Sequence, residues 1–132
     1  MRVQSALCAV AACLCLGAIT WAQDAVKTDP KHYSVISENE QVRILKVHYG
    51  PHEKSIMHSH PNVVAVSLTD ANGQFTFPDG KTQPFTFKAG EARYSPAGTH
   101  LPENTSDTAM DIIVIELKGH AKPKAAMSSG TK

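Results

Sequence analysis

The segment His58-Ser59-His60 places two imidazoles at positions i and i+2. On a β-strand that spacing turns both rings to one face, close enough together to share a metal ion. A third candidate, His100, comes forty residues later, just past the turn Pro96-Ala97-Gly98, where the chain is redirected after a strand. Imidazole nitrogens suit iron, manganese, nickel, zinc or copper, so residue type and spacing leave the identity of the divalent transition metal open. The competing reading is a set of histidines that only hydrogen-bond inside the fold. His32, His48, His52 and His120 have no partner at metal spacing and are read as surface residues.

Other residues near the histidines could touch a ligand. Arg93 and Tyr94 precede the Pro-Ala-Gly turn, and strand alternation sends one of them inward. An inward Arg93 could hold a carboxylate bidentately, whereas an outward one would be a surface ion-pair residue. Asn104 either touches a ligand or caps the turn with its side chain. Met57 alternates with His58 and so faces away from the imidazoles as core filling.

The start of the chain has the layout of an export signal. Arg2 supplies a positive charge, residues 6–19 form an apolar run, and Thr20-Trp21-Ala22 offers small residues where a signal peptidase would cut after Ala22. The expected destination is the periplasm or the exterior. An uncleaved membrane anchor, or a lipoprotein signal ending at Cys13, are the alternatives. Cys8, Cys13 and Cys15 all lie inside this leader, so the remaining chain has no thiol for a disulfide, a nucleophile or a metal bond. Site chemistry falls to histidine, carboxylates and hydroxyls. Without Arg2 the 13 Lys+Arg become 12, against 12 Asp+Glu. A neutral domain gives no electrostatic reason to expect nucleic acid as partner, and none is expected; nor is a membrane, once the signal is cleaved.

What must position these residues is one domain, since about 110 residues can bury one core and no more. Residues 23–31 read as a flexible lead-in, 32–118 as the folded domain and 119–132 as a disordered tail without apolar periodicity. The body predicts short strands at 33–37, 42–49, 55–60, 63–68, 74–77, 83–87, 91–94 and 111–117, with no convincing helical period, which is an all-β pattern. Phe75-Thr76-Phe77 and Phe85-Thr86-Phe87 flank Pro78-Asp79-Gly80-Lys81 and predict a hairpin whose aromatic rings pack sheet against sheet. The run Val63-Val64-Ala65-Val66 predicts a strand covered on both sides.

Over residues 42–117 the sequence resembles the cupin superfamily. The family's first motif is matched by Gly50, His58, His60 and Gly73, and its second by Gly90, Pro96, Gly98, His100 and Asn104, with one residue rather than two before the histidine. The resemblance implies a jelly-roll β-barrel of two antiparallel sheets whose motif histidines project inward onto a divalent metal. It also exposes a gap: Val64 or Ala65 stands where the family places a glutamate ligand. Three neutral imidazoles would leave the ion's charge uncompensated and favour a small anionic ligand, with Val64 as an apolar neighbour. Substitute ligands are conceivable in His52, Glu53 and Glu103, each more simply read as a solvated loop residue.

Two functions are expected to compete. One is a metal-dependent enzyme such as a dioxygenase, isomerase, epimerase or lyase, with three-histidine sites resembling those of cupin thiol dioxygenases; the fold does not choose among them. The other is a non-catalytic module that binds a small molecule. A homodimer is also conceivable, through addition of residues 33–37 to a partner's sheet.

Overall fold

The computed structural model describes residues 23–119. The expected leader, and all of the expected tail but Gly119, lie outside the described residues. Among the described residues no helix is long and apolar enough to cross a membrane.

One short helix, α1 (Ala25–Thr28), precedes nine strands: β1 (Tyr33–Glu38), β2 (Val42–Tyr49), β3 (His58–His60), β4 (Val63–Ser67), β5 (Ala71–Thr76), β6 (Thr82–Phe87), β7 (Ala92–Ser95), β8 (Gly98–Asn104) and β9 (Met110–Leu117). They form a five-stranded sheet in the order β1-β2-β9-β4-β7 and a four-stranded sheet in the order β3-β8-β5-β6. Every strand pairing within the sheets is antiparallel. The jelly roll is thus two facing sheets, and their ladders do not run together into a closed barrel.

Alternation decides what faces the space between the sheets. Along β9 the residues Met110, Ile112, Val114 and Glu116 are buried, and Leu45, Val47 and Tyr49 of the neighbouring β2 share that side. The predicted hairpin forms: β5 pairs with β6, Phe77 and Lys81 close the turn, and Gly80 takes a φ of 81° that suits glycine. Pro84 is tolerated because β6 is the edge of its sheet.

The structure adds one strand to the expected set. β8 runs through Gly98-Thr99-His100-Leu101-Pro102-Glu103-Asn104, a segment whose glycine, proline and asparagine argue for a turn. It can be a strand because it changes partners part-way, pairing residues 98–100 with β3 and residues 101–104 with β5. Pro102 therefore needs no N–H toward β3; on that side its carbonyl accepts from Ser55 N–H at 2.9 Å. The strand expected from Ser55 shortens to His58–His60.

The lead-in is also corrected, because it is packed. Asp24 caps α1 by accepting from Lys27 N–H, Ala25 is fully buried, and the Gln23 carbonyl accepts from Ser59 N–H of β3 at 2.7 Å. A four-residue helix is too short to leave a period in the sequence. His32, expected on the surface, is buried: its ring stacks on Tyr49 at 4.3 Å and its nitrogens meet Asp29 at 2.7 Å and Glu53 at 3.1 Å. Two carboxylates and an aromatic face supply what an isolated imidazole would otherwise seek from water.

Gly73 shows how tightly the four-stranded sheet is closed. A Cβ there would lie 2.3 Å from the Phe85 ring and 2.4 Å from the Glu103 carbonyl, and the backbone oxygen cannot move aside. Gly73→Ala should therefore destabilise the domain by about 1–3 kcal/mol through overpacking, read as a lower urea midpoint; a midpoint equal to wild type would contradict this packing.

Candidate metal centre

Register brings the three histidines together. His58 and His60 share one face of β3, and His58 lies directly opposite His100 in the β3–β8 ladder. Ser59 and Thr99 occupy the other face, joined by a 2.7 Å hydroxyl hydrogen bond. The ring centroids of His58, His60 and His100 are 4.8, 5.1 and 5.4 Å apart, and one nitrogen from each lies within 4.8 Å of the others.

The outer nitrogens fix the inner ones. His58 Nδ1 lies 2.7 Å from the Ile56 carbonyl, which can only accept, so that nitrogen carries the proton. His60 Nδ1 likewise donates to Glu116 Oε1 at 2.6 Å. In the neutral rings both Nε2 atoms are then bare lone pairs, and they face each other at 3.0 Å. That contact repels unless a cation lies between them. Burial, with the neighbouring His60 adding to it, holds His58 down to about 4, so the His58 ring is neutral near pH 7. Two nitrogens each about 2.1 Å from one ion and at right angles to each other are about 3.0 Å apart, so the donor set fits a metal. Metal-bound histidines characteristically donate their other N–H to a carboxylate or a backbone carbonyl, and here one does each.

The third ring is held differently. Among the described residues the His100 ring makes no side-chain hydrogen bond, and it lies flat against Phe75, with centroids 4.7 Å apart and planes 4° from parallel. Burial and the two neighbouring imidazoles press it down to about 3. The Tyr33 ring backs His58 at 4.7 Å, and its hydroxyl pairs with that of Tyr49 at 2.9 Å.

His60 and His100 open onto a cavity of about 680 Å³ between the sheets, while His58 is fully buried behind them. The wall is mostly aromatic and aliphatic, and includes Phe75, Phe77, Phe85 and Phe87. The hairpin rings expected to pack sheet on sheet thus also form the cavity wall.

Of the remaining candidates, Arg93 lies on the cavity side of β7, since it pairs with Ala65, which lines the cavity, but it is exposed at the rim. Its guanidinium sits 4.3 Å over the Phe87 ring, with Nε on Glu91 at 2.7 Å and Nη2 on the Thr86 carbonyl at 2.8 Å. Tyr94 borders the cavity but is largely exposed. Val64 is turned to the opposite face of its sheet with Ile115 and Tyr94, and it does not line the cavity. Asn104 does not reach it either. The Asn104 side chain is fully buried, donating to the Gly50 and Thr108 carbonyls and accepting from Ser106, which closes the loop before β9. Nor do the substitute ligands approach: Glu53 binds Lys31, His32 and Gly50 N–H, His52 pairs with Asp107, and Glu103 pairs with Lys54.

Glu116 is the residue that sequence reasoning missed. The parity of β9 could have pointed to it, because a carboxylate in step with Ile112 and Val114 must be buried; but Ile113 and Ile115 are equally apolar, which hid the inward face. Glu116 is 2% exposed and also accepts from Arg43 Nε at 2.6 Å; Arg43 in turn reaches Asp24. These bonds outweigh the cost of burial and hold the Glu116 carboxyl below its usual value.

Among solved structures the fold is similar to the cupin domain from Bordetella pertussis Tohama I, 26% identical, covering 66% of this chain and 92% of that one, with a TM-score of 0.62. The fold is a cupin. Its other structural neighbours include a protein with a double-stranded β-helix domain from Klebsiella pneumoniae, 18% identical over 68% of this cupin and 78% of that chain at a TM-score of 0.54. An RmlC-like cupin from Methanocaldococcus jannaschii is 19% identical over 66% and 81%, at 0.52. No protein-family model matches the cupin's sequence, and no curated protein does.

In the metal-free cupin the depressed His58 and His100 make stability depend on pH. Both bind protons more weakly folded than unfolded, so their contribution is complete above the unfolded value near 6.5 and is lost as pH falls toward 4 and 3. The urea midpoint of the metal-free cupin should fall between pH 7 and pH 5, and His100→Phe should flatten that fall; equal slopes in the two proteins would contradict the assignment.

Proposed function

We propose that this chain is an exported cupin that holds one divalent transition metal, iron, manganese, nickel or zinc, on His58, His60 and His100. The observation that carries the reading is the pair of Nε2 atoms facing each other at 3.0 Å, on rings whose Nδ1 atoms meet the Ile56 carbonyl and the Glu116 carboxylate. The ion would act as a Lewis acid, polarising a donor group of whatever it binds. Three protein ligands leave coordination positions free, and because His60 and His100 border the cavity, those positions open toward it.

The ligand that suits this site is a small molecule with an anionic donor and an apolar body. The donor answers the ion's charge, and the body suits a wall of phenylalanine and aliphatic side chains. Two of the three Arg93 nitrogens are already engaged, which makes Arg93 a secondary contact rather than the main anion site.

A second reading, ligand binding without turnover, is favoured by the acid–base groups at hand. Among the described residues, the cavity-lining groups with acid–base capacity are the two histidines, Arg93 and the tyrosines, and Tyr33 and Tyr49 are bonded to each other. Saturable binding of small carboxylates without conversion would support this module over an enzyme.

Protein purified without chelator should carry about one transition-metal ion per chain by elemental analysis, and His58→Ala, His60→Ala and His100→Ala should each carry almost none. Free metal at about 1,000 times its Kd should stabilise the wild type by about 4 kcal/mol against urea, an effect that chelator removes. Wild-type protein that neither carries metal nor takes it up on dialysis would end the metal reading.

A further inference from the structure

We propose that Glu116 supplies the metal centre with the carboxylate that its coordinating set lacks, acting from the opposite sheet through His60 rather than on the ion itself. The inference rests on the metal reading above. The position where the family resemblance would put a carboxylate ligand is occupied by Val64, which turns away, and Ala65, whose methyl has no donor atom. Glu116 lies one strand over, directly opposite Val63 in the β4–β9 ladder, and enters the site from that side.

Its two oxygens have separate tasks. Oε1 accepts from His60 Nδ1 at 2.6 Å, and Oε2 accepts from Arg43 Nε at 2.6 Å. Held at both oxygens, the carboxylate cannot rotate to the ion. It instead fixes the His60 tautomer that leaves Nε2 bare and makes that nitrogen a stronger donor. Arg43 also binds Asp24, whose neighbour Gln23 accepts from Ser59 N–H between the two ligand histidines. The linkage closes on itself: His60, Glu116, Arg43, Asp24, Gln23 and back to β3. Asp24 and Glu116 against Arg43 leave one formal negative charge beside the site, which offsets part of the ion's charge. Glu116 is thus a positioning residue for the metal ligand.

The test is Co(II) affinity, measured by competition with a fluorescent chelator, in wild type, Glu116→Gln and Ser59→Ala. The glutamine keeps the shape and removes the charge; Ser59→Ala disturbs β3 on the face away from the histidines. Affinity should fall roughly 10- to 100-fold in Glu116→Gln and stay within about twofold in Ser59→Ala. Equal affinities in Glu116→Gln and wild type would overturn the proposal, as would equal losses in both variants. Wild-type protein that binds no Co(II) would instead overturn the metal reading and this inference with it. Should Glu116→Gln fail to fold, ¹⁵N spectra of the histidine rings in metal-free wild type decide: His60 protonated at Nδ1 supports the role, and protonation at Nε2 overturns it.

Discussion

The structure turns on the close approach of two imidazole nitrogens. His58 and His60 point their Nε2 lone pairs at each other across 3.0 Å, and each is prevented from relieving the contact by a bond on its far side. An imidazole free to turn would change tautomer or swing away. These two cannot, because the Ile56 carbonyl can only accept, and because Arg43 holds the Glu116 carboxylate in place. On the proposed reading the site is preorganised for a cation, and the cost of that preorganisation is met by the packing around it.

That packing draws on both sheets. The four-stranded sheet supplies the ligands through the register of β3 on β8, and the Phe75 ring that fixes His100. The five-stranded sheet supplies the countercharge and the Tyr33 ring behind His58. Neither sheet alone makes the site. The short segment before β1 pins β3 from outside, with a backbone bond to Ser59 and the Asp24 pairing to Arg43. Since the ligand strand is only three residues long, this outside support stands in for the neighbour that an edge strand lacks.

How far the sequence reveals this follows from the range of each interaction. The i, i+2 histidines and the Pro-Asp-Gly-Lys hairpin are local patterns, and both appear where they were expected. β2 also has the expected bounds, and the pair of antiparallel sheets follows from the family resemblance. What was hidden is non-local. β8 is a strand only because it changes partners at Leu101, which no propensity of Gly98, Pro102 or Asn104 announces. Glu116 is 56 residues from His60 in sequence, and their contact spans the space between the sheets. The buried His32 is likewise explained only by Asp29, Tyr49 and Glu53 together. Arg93 could be placed only once its pairing with Ala65 was known.

The central claim is that three imidazoles, and no protein carboxylate, bind one ion. X-ray absorption on the protein loaded with one equivalent of zinc tests it most directly. The account predicts three imidazole nitrogens at about 2.0–2.1 Å, with solvent or ligand oxygen completing the coordination. A zinc shell with two imidazoles or fewer, or one whose oxygen is lost in Glu116→Ala, would contradict it.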